Sequence, residues 1–425
     1  MKTSLKSRVS GAPTVRPMGI TGKETPEALL EDKFPAFAGR QVREAYSLMR
    51  TTVREGAATF LTLSGAMTPA GIHSSCIIPL IERGMIDAIT TTGANLYHDA
   101  HRVIGHAVHE IDPNSGDLEL RKARCIRIYD LAFPEQALLD CDRVFSAMLQ
   151  KPQFQKRMST AELHRLLGEE MDALERVLGV KESSLLATAY RHKVPIYVGA
   201  VQDGSIFLNV VKLRALLGEE FRCEVDPILD VYEMSALQHY CQKTLGKRLA
   251  VWMLGGGVPK NYTLQGEPLL GQIFDIPTRG FDIDVQICVD VADNGALSPA
   301  TAAEGHTWGK TSAQSVQTGS VYCRADVTAV MPFITYALLS DPKMKKRGLA
   351  LADHTARAHA VLDAEVKKRR TALLRSLDFE GVTETARRPS KGRKAPATRA
   401  TKKTRAAKNT RAAKKTRATK KPRQR

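Results

Sequence analysis

The residues best equipped for chemistry fall between Asp290 and Lys310, in DVADNGALSPATAAEGHTWGK. Three acids (Asp290, Asp293 and Glu304), the indole of Trp308 and the amine of Lys310 share this short stretch, which turns at Asn294-Gly295. Carboxylates pair with ammonium groups, an indole face attracts a cation, and a lysine amine can attack an imine carbon. The set therefore suits a polycationic amine. Acids alone would raise the pKa of a neighbouring lysine, so a nucleophilic Lys310 needs burial or a bound cation to offset them. The same residues also fit a polar surface loop with a glycine turn.

Other clusters carry less. GGGVPKN places Gly255, Gly256 and Gly257 before Lys260 and Asn261. Such glycines can admit a phosphate or merely form a tight turn, and Lys260 can meet a phosphate or sit near a helix start. His98 with His101, and His106 with His109, are spaced three apart. No acid or cysteine completes a ligand set around them, so no metal is expected, and His98 and Asp99 read as the lining of a polar cleft.

The elements that must position these residues alternate. Thr59–Leu63, Met85–Thr91, Val194–Ala200, Leu249–Leu254, Phe281–Val291 and Val321–Val327 read as short buried strands. Helices are expected over Phe37–Met49, from Thr68 as N-cap to about Arg83, over Pro134–Leu149 and Ser159–Leu178, and up to Leu217. Further helices fall at Val330–Leu339 and Ala350–Leu377, while residues 110–126 read as a surface turn or hairpin. Strands followed by helices imply an α/β protein with a mostly parallel, doubly wound sheet. Several strands end in small polar residues: Ser64-Gly65, Thr91-Thr92-Gly93, Asp203-Gly204-Ser205 and Gly255–Gly257. Together they imply a Rossmann-like nucleotide cleft without the usual glycine fingerprint.

The net charge of +18 suggests nucleic acid until it is located. From Arg387 to Arg425 the chain has 18 Lys/Arg and no acid; removing them from the 63 leaves 45 basic residues against 45 acidic ones. The body is neutral, and basicity belongs to an appendage in which Thr-Arg-Ala recurs at 398, 404, 410 and 416. That tail cannot bury a core and reads as disordered in isolation. It is either simply solvated or holds a polyanion such as nucleic acid, without base stacking because it has no aromatics. Seven scattered cysteines without a CxxC, no signal-peptide pattern and no apolar run of membrane length imply reduced thiols in a cytoplasmic protein. The expected organisation is a polar arm (residues 1–33), a catalytic body (34–380) and the basic tail (381–425).

Over roughly Phe37 to Leu339 the chain resembles the deoxyhypusine synthase family. The matching features are the Phe60–Ile72 segment, Thr91-Thr92 with Asp99, Asp203-Gly204-Ser205, Gly255–Gly257 with Lys260, Asp290 to Lys310 and Ala325-Asp326. The resemblance implies NAD-dependent removal of a hydride from spermidine or a related polyamine and capture of the butyl group on Lys310. Transfer of that 4-aminobutyl group to an acceptor amine would follow. It assigns Asp290, Asp293, Glu304, Trp308 and Asn261 to the polyamine. Ser64, Thr92, His98, Asp203, Gly255, Gly256, Gly257 and Asp326 are assigned to NAD, held between subunits of a homotetramer. Eukaryotic members have histidine at Asn261 and acids at Leu208 and His98, so GANLYHD and GGGVPKN look like the bacterial-type branch. Two other readings stay open: a homospermidine-type synthase that uses putrescine as acceptor, and a non-catalytic polyanion-binding protein on the same fold.

Overall fold

The computed structural model of the protein describes residues 9–16, 18–344 and 347–377. Its centre is a parallel six-stranded sheet of β1 (Ala58–Leu63), β2 (Ala88–Thr91), β3 (Ile196–Val198), β4 (Leu249–Leu254), β5 (Ile283–Ile287) and β6 (Ser320–Cys323). The spatial order is β3-β2-β1-β4-β5-β6. The chain thus builds outward from β1 in one direction, returns, and builds outward again from β4. The expected doubly wound α/β fold is present, and its switch point lies between β1 and β4, where such sheets leave a crevice at their C-terminal edge.

All residues of β1 and β4 are buried, because helices cover both faces. Period-two alternation divides them. Leu61, Leu63, Ala250, Trp252 and Leu254 enter one core with Tyr46 and Met49 of α1 (Phe37–Glu55). Ala58, Phe60, Leu249, Val251 and Met253 enter the other. The helices that open on the crevice are α2 (Gly93–Val103), α3 (Ser205–Leu217) and, after α4 (Pro227–Lys243), α5 (Gly257–Leu264). They are followed by α6 (Ala302–Thr307), α7 (Val327–Ser340) and α8 (Thr355–Arg375). No helix among the described residues is long and apolar enough to cross a membrane. All seven cysteines are free thiols.

Several local expectations are corrected. The polar arm contains a helix that was not expected: Pro26–Asp32, capped by Thr25, with Leu30 buried and Glu27 and Glu31 paired to Arg50. Thr68 caps nothing. Its hydroxyl donates to the Asn95 carbonyl at 2.8 Å, and Asn95 Oδ1 accepts from the Met67 and Thr68 amides, so the helical run begins only at His73. The helix expected over Ser159–Leu178 runs over Thr160–Leu178 with Ser159 as its cap, and the Thr160 hydroxyl is bound to Asp230. Residues 110–126 include helix Asp117–Lys122, and Leu131–Pro134 is a strand of a small antiparallel sheet. Helix α4 has no sequence signature of amphipathicity because it is buried almost all round, from Met234 to Cys241 without a break. The chain divides after Leu373; of the second unit only residues 374–377 are described, and the basic tail lies outside the described residues.

Candidate active site

Two cavities lie at the C-terminal edge of the sheet. One, of about 250 Å³, is lined by Ser64 after β1, Thr92 and Gly93 after β2, Asp203, and Gly256 and Gly257 after β4, with Ser298 opposite. Helices α2, α3 and α5 all start here, and none has a side-chain cap at its N-terminus. The Thr92 hydroxyl donates to the Gly65 carbonyl at 3.0 Å instead. Ser159, Ser184, Asp226 and Asp326 do cap the helices they precede. Uncapped helix starts leave amide N–H groups and the positive end of the helix dipole available to an anion. Gly256 is required by close approach: a Cβ there would lie 2.5 Å from the Ser298 Cβ.

The other cavity, of about 300 Å³, is lined by Lys260, Asn261, Asp284, Glu304, Trp308 and Lys310, among others. Local sequence explains how Lys310 enters it. Thr301 caps the short helix α6, the helix ends at Trp308, and Gly309 takes a left-handed φ of 74° that glycine adopts without strain. The reversal returns Lys310 to the sheet, where its carbonyl accepts from the Phe281 amide at 2.9 Å. Lys310 Nζ donates to Asn261 Oδ1 at 2.7 Å and lies 6.0 Å from the Trp308 ring centre. Burial pushes the Lys310 ammonium below the ordinary lysine range, and the Glu304 carboxylate pulls it back up. The offset that a nucleophilic Lys310 requires is therefore present, because burial is the larger effect.

The two cavities share a wall. Pro259 lines the first and its neighbour Lys260 the second, and Ser298 and Ala300 divide in the same way. Lys260 is the rivet. It is buried, and its Nζ donates to Gln286 Oε1 (2.7 Å), to the Ser298 carbonyl (2.9 Å) and to the Ala300 carbonyl. Gln286 Nε2 completes the joint to the Gly255 and Ser298 carbonyls at 2.9 and 2.7 Å. Of the two places open to it, Lys260 has the second: it lies in the first turn of α5, buried.

Over residues 31–338 the chain matches the family model described as deoxyhypusine synthase. It is 41% identical over 322 residues to a deoxyhypusine synthase-like protein of Nostoc sp., covering 75% of this chain and 83% of that one. The chain belongs to the deoxyhypusine synthase family. A second relative, a probable deoxyhypusine synthase 2 of Methanosarcina acetivorans, is 32% identical over 329 residues, covering 77% of this chain and 89% of its own.

Of the site residues expected for a member of this family, Ser64, Thr92, Asp203, Gly256 and Gly257 meet in the first cavity, and Asn261, Glu304, Trp308 and Lys310 in the second. Gly255 lies just behind the wall, its carbonyl taken by Gln286. Four others line neither cavity. Strand β5 ends at Ile287, short of the expected Val291, so Asp290 and Asp293 lie beyond it, with Asp293 exposed. Asp326 caps α7 through the Thr328 amide. His98 packs against His101 and Phe133, its pKa lowered by burial. Asp99 is buried, bonded to the Leu185 amide and paired with His73, so it does not line a cleft. Ser298 and Asp284 were not legible as site residues. Asp284 left one signal: FDIDVQI puts Asp282, Asp284 and Gln286 on the same face of a strand covered on both sides. A third cavity, of about 140 Å³, lies beside Val194 and Pro195 where β3 begins and contains none of the expected residues.

Proposed function

We propose that this protein is an NAD-dependent transferase. It takes a 4-aminobutyl group from spermidine or a related polyamine, holds it as an imine on Lys310 and passes it to an acceptor amine. The observation that carries this reading is the shared wall: a half-buried lysine amine on one side of it and three uncapped helix starts on the other. The first cavity suits a dinucleotide. Its helix starts would receive the pyrophosphate, the bare Cα of Gly257, with open space where a Cβ would stand, leaves room beside it, and Asp203, Thr92 and Ser64 can bond ribose hydroxyls. NAD, when bound, accepts and returns the hydride that interconverts amine and imine.

The remaining roles belong to the chain. Glu304 and Trp308 orient the cationic amine at the rim, through charge and through the indole face. Asn261 holds Lys310 Nζ with a neutral oxygen, which orients the nitrogen without the pKa increase that a carboxylate would impose. Lys310 attacks the imine carbon as the free amine. Its proton passes to the departing diamine nitrogen, and the C–N bond to that diamine breaks. The acceptor amine then displaces Lys310 by the same exchange and frees it. Asp290, Asp293, His98 and Asp326 would serve a neighbouring subunit or hold their segments, in a cytoplasmic homotetramer whose catalytic body is residues 34–380. The tail from 381 onward would bind polyanions.

The test is purified full-length protein with NAD and spermidine, quenched with borohydride and read by mass spectrometry. The expected adduct has the mass of a reduced aminobutyl group on Lys310, and Lys310→Ala lowers both adduct and product by on the order of 10³-fold or more. An alanine variant that traps the adduct equally sinks the nucleophile assignment. Adding putrescine in one arm and a lysine-bearing protein acceptor in another identifies the acceptor by product mass.

A further inference from the structure

The polar face of β5 carries Asp284 and Gln286, and Asp282 immediately before the strand continues it; all three are buried. Asp282 accepts from the Leu249 amide at 3.3 Å and lies 4.0 Å from Arg248 Nε. Gln286 is bonded through both of its side-chain atoms. Asp284 lies between them with 5% of its surface exposed, and among the described residues its carboxylate accepts no hydrogen bond and has no ion-pair partner within 4.0 Å; burial raises its pKa, and the charge of Lys260 offsets that only in part. The nearest candidate is Lys260, but an ammonium has three N–H groups, and those of Lys260 go to Gln286, Ser298 and Ala300. Buried carboxylates are normally paired, since an unpaired one forfeits its hydration without return. What little of Asp284 is exposed faces the cavity that contains Lys310.

A core role does not account for this residue, because an apolar side chain would fill the position at lower cost. A metal does not either. Among the described residues no group of three His, Cys, Asp or Glu could hold one, and Lys260 and Lys310 line the same cavity. The missing partner is a small donor that enters from the cavity and carries its own charge. The two carboxylates of the cavity differ in depth: Asp284 is buried, whereas Glu304 is exposed at the rim.

We propose that Asp284 is a specificity-determining residue of the amine cavity, receiving a primary ammonium at its floor while Glu304 holds a second positive charge at the rim. The pair selects amines with two cationic ends over amines with one. This rests on the reading of that cavity as an amine site and adds to it the residue that measures the amine's length.

The test is direct binding to the full-length protein, with and without NAD, by calorimetry or by the fluorescence of the exposed Trp308; the other tryptophan, Trp252, is fully buried. The probes are putrescine and n-butylamine, which have the same carbon chain and differ by one ammonium. Wild type is expected to prefer putrescine by at least about tenfold, a charged hydrogen-bonded contact being worth that much. Asp284→Asn should bring the ratio close to one while melting no lower than wild type without ligand, and Asp284→Ala should give the same ratio. A merely structural role would weaken both amines alike, and an unchanged ratio overturns the proposal. If wild type binds neither putrescine nor spermidine, both this proposal and the transferase reading fall. If the ratio collapses in the variants but wild type transfers nothing from spermidine with NAD, Asp284 stands and the transferase reading falls. Transfer with an unchanged ratio means the reverse.

Discussion

Lys310 can act as a nucleophile only while its nitrogen is unprotonated. Burial and the Glu304 charge push that equilibrium in opposite directions. A bound ammonium that pairs with Glu304 would cancel the opposing charge, so the substrate itself would help to activate the lysine. Replacing Glu304 by Gln removes the same charge permanently. The Lys310 pKa should then fall, and the acid limb of borohydride-trapped adduct formation at saturating spermidine should move to lower pH by about 0.5–1 unit. An acid limb that stays in place, or moves to higher pH, would show that Glu304 does not govern this proton. The amine affinity of the same variant should fall as well, and the two effects separate cleanly because one is read as a midpoint and the other as a Kd.

At the scale of elements, the decisive contact is the pressing of the Ser298–Ala300 segment onto the start of α5. The segment is held by Lys260 and Gln286, and Gly256 is the residue that lets it approach. Gly256→Ala would place a Cβ 2.5 Å from the Ser298 Cβ and 2.6 Å from its Cα, so the segment must move. Because this segment lines both cavities, the variant should weaken NAD and spermidine binding together, each by about tenfold or more, with a stability loss of about 1–3 kcal/mol typical of overpacking. Gly93→Ala is the control. Its Cβ would lie 2.7 Å from the Gly204 Cα, where α2 and α3 begin, in the first cavity only. It should weaken NAD and leave amine affinity within about twofold. Titration of each ligand against each variant checks the pattern, and equal losses in both variants would refute the shared wall.

At the scale of the molecule, the body is electrically balanced and the excess charge is terminal. The family match ends at residue 338, well before the basic run from Arg387. Truncation after residue 380 should leave aminobutyl transfer within about twofold and remove salt-sensitive binding to double-stranded DNA. For the full chain, log K should fall with log salt at a slope close to 0.9 per phosphate neutralised. Loss of transfer on truncation would mean that the tail and the body are one functional unit. The body also exposes Leu208, Val211 and Leu216 on α3 and Phe333 and Tyr336 on α7. A homotetramer would cover them, and sedimentation at micromolar concentration measures the mass directly.

Much of this protein is determined by sequence alone, wherever the physics is local. β4 was legible to its last residue because a strand covered on both faces is a continuous apolar run, and LAVWML is one. The Trp-Gly-Lys turn was not legible in the sequence, because the helix that it ends, Ala302–Thr307, is too short to show a periodic pattern. The charge of the tail needed only counting. Tertiary structure decided whatever depends on which distant residues become neighbours. The order of the six strands put Ser64 and Gly256 on either side of the switch point, although 192 positions separate the hydrogen-bonded pair. Lys260, open to two readings in the sequence, became a wall because its three donors found acceptors 26 to 40 residues away. Those same bonds left Asp284 near the Lys260 charge but with no donor on its oxygens. A buried carboxylate without a hydrogen bond is a property of the whole neighbourhood, so it appears only once every competing donor has been placed.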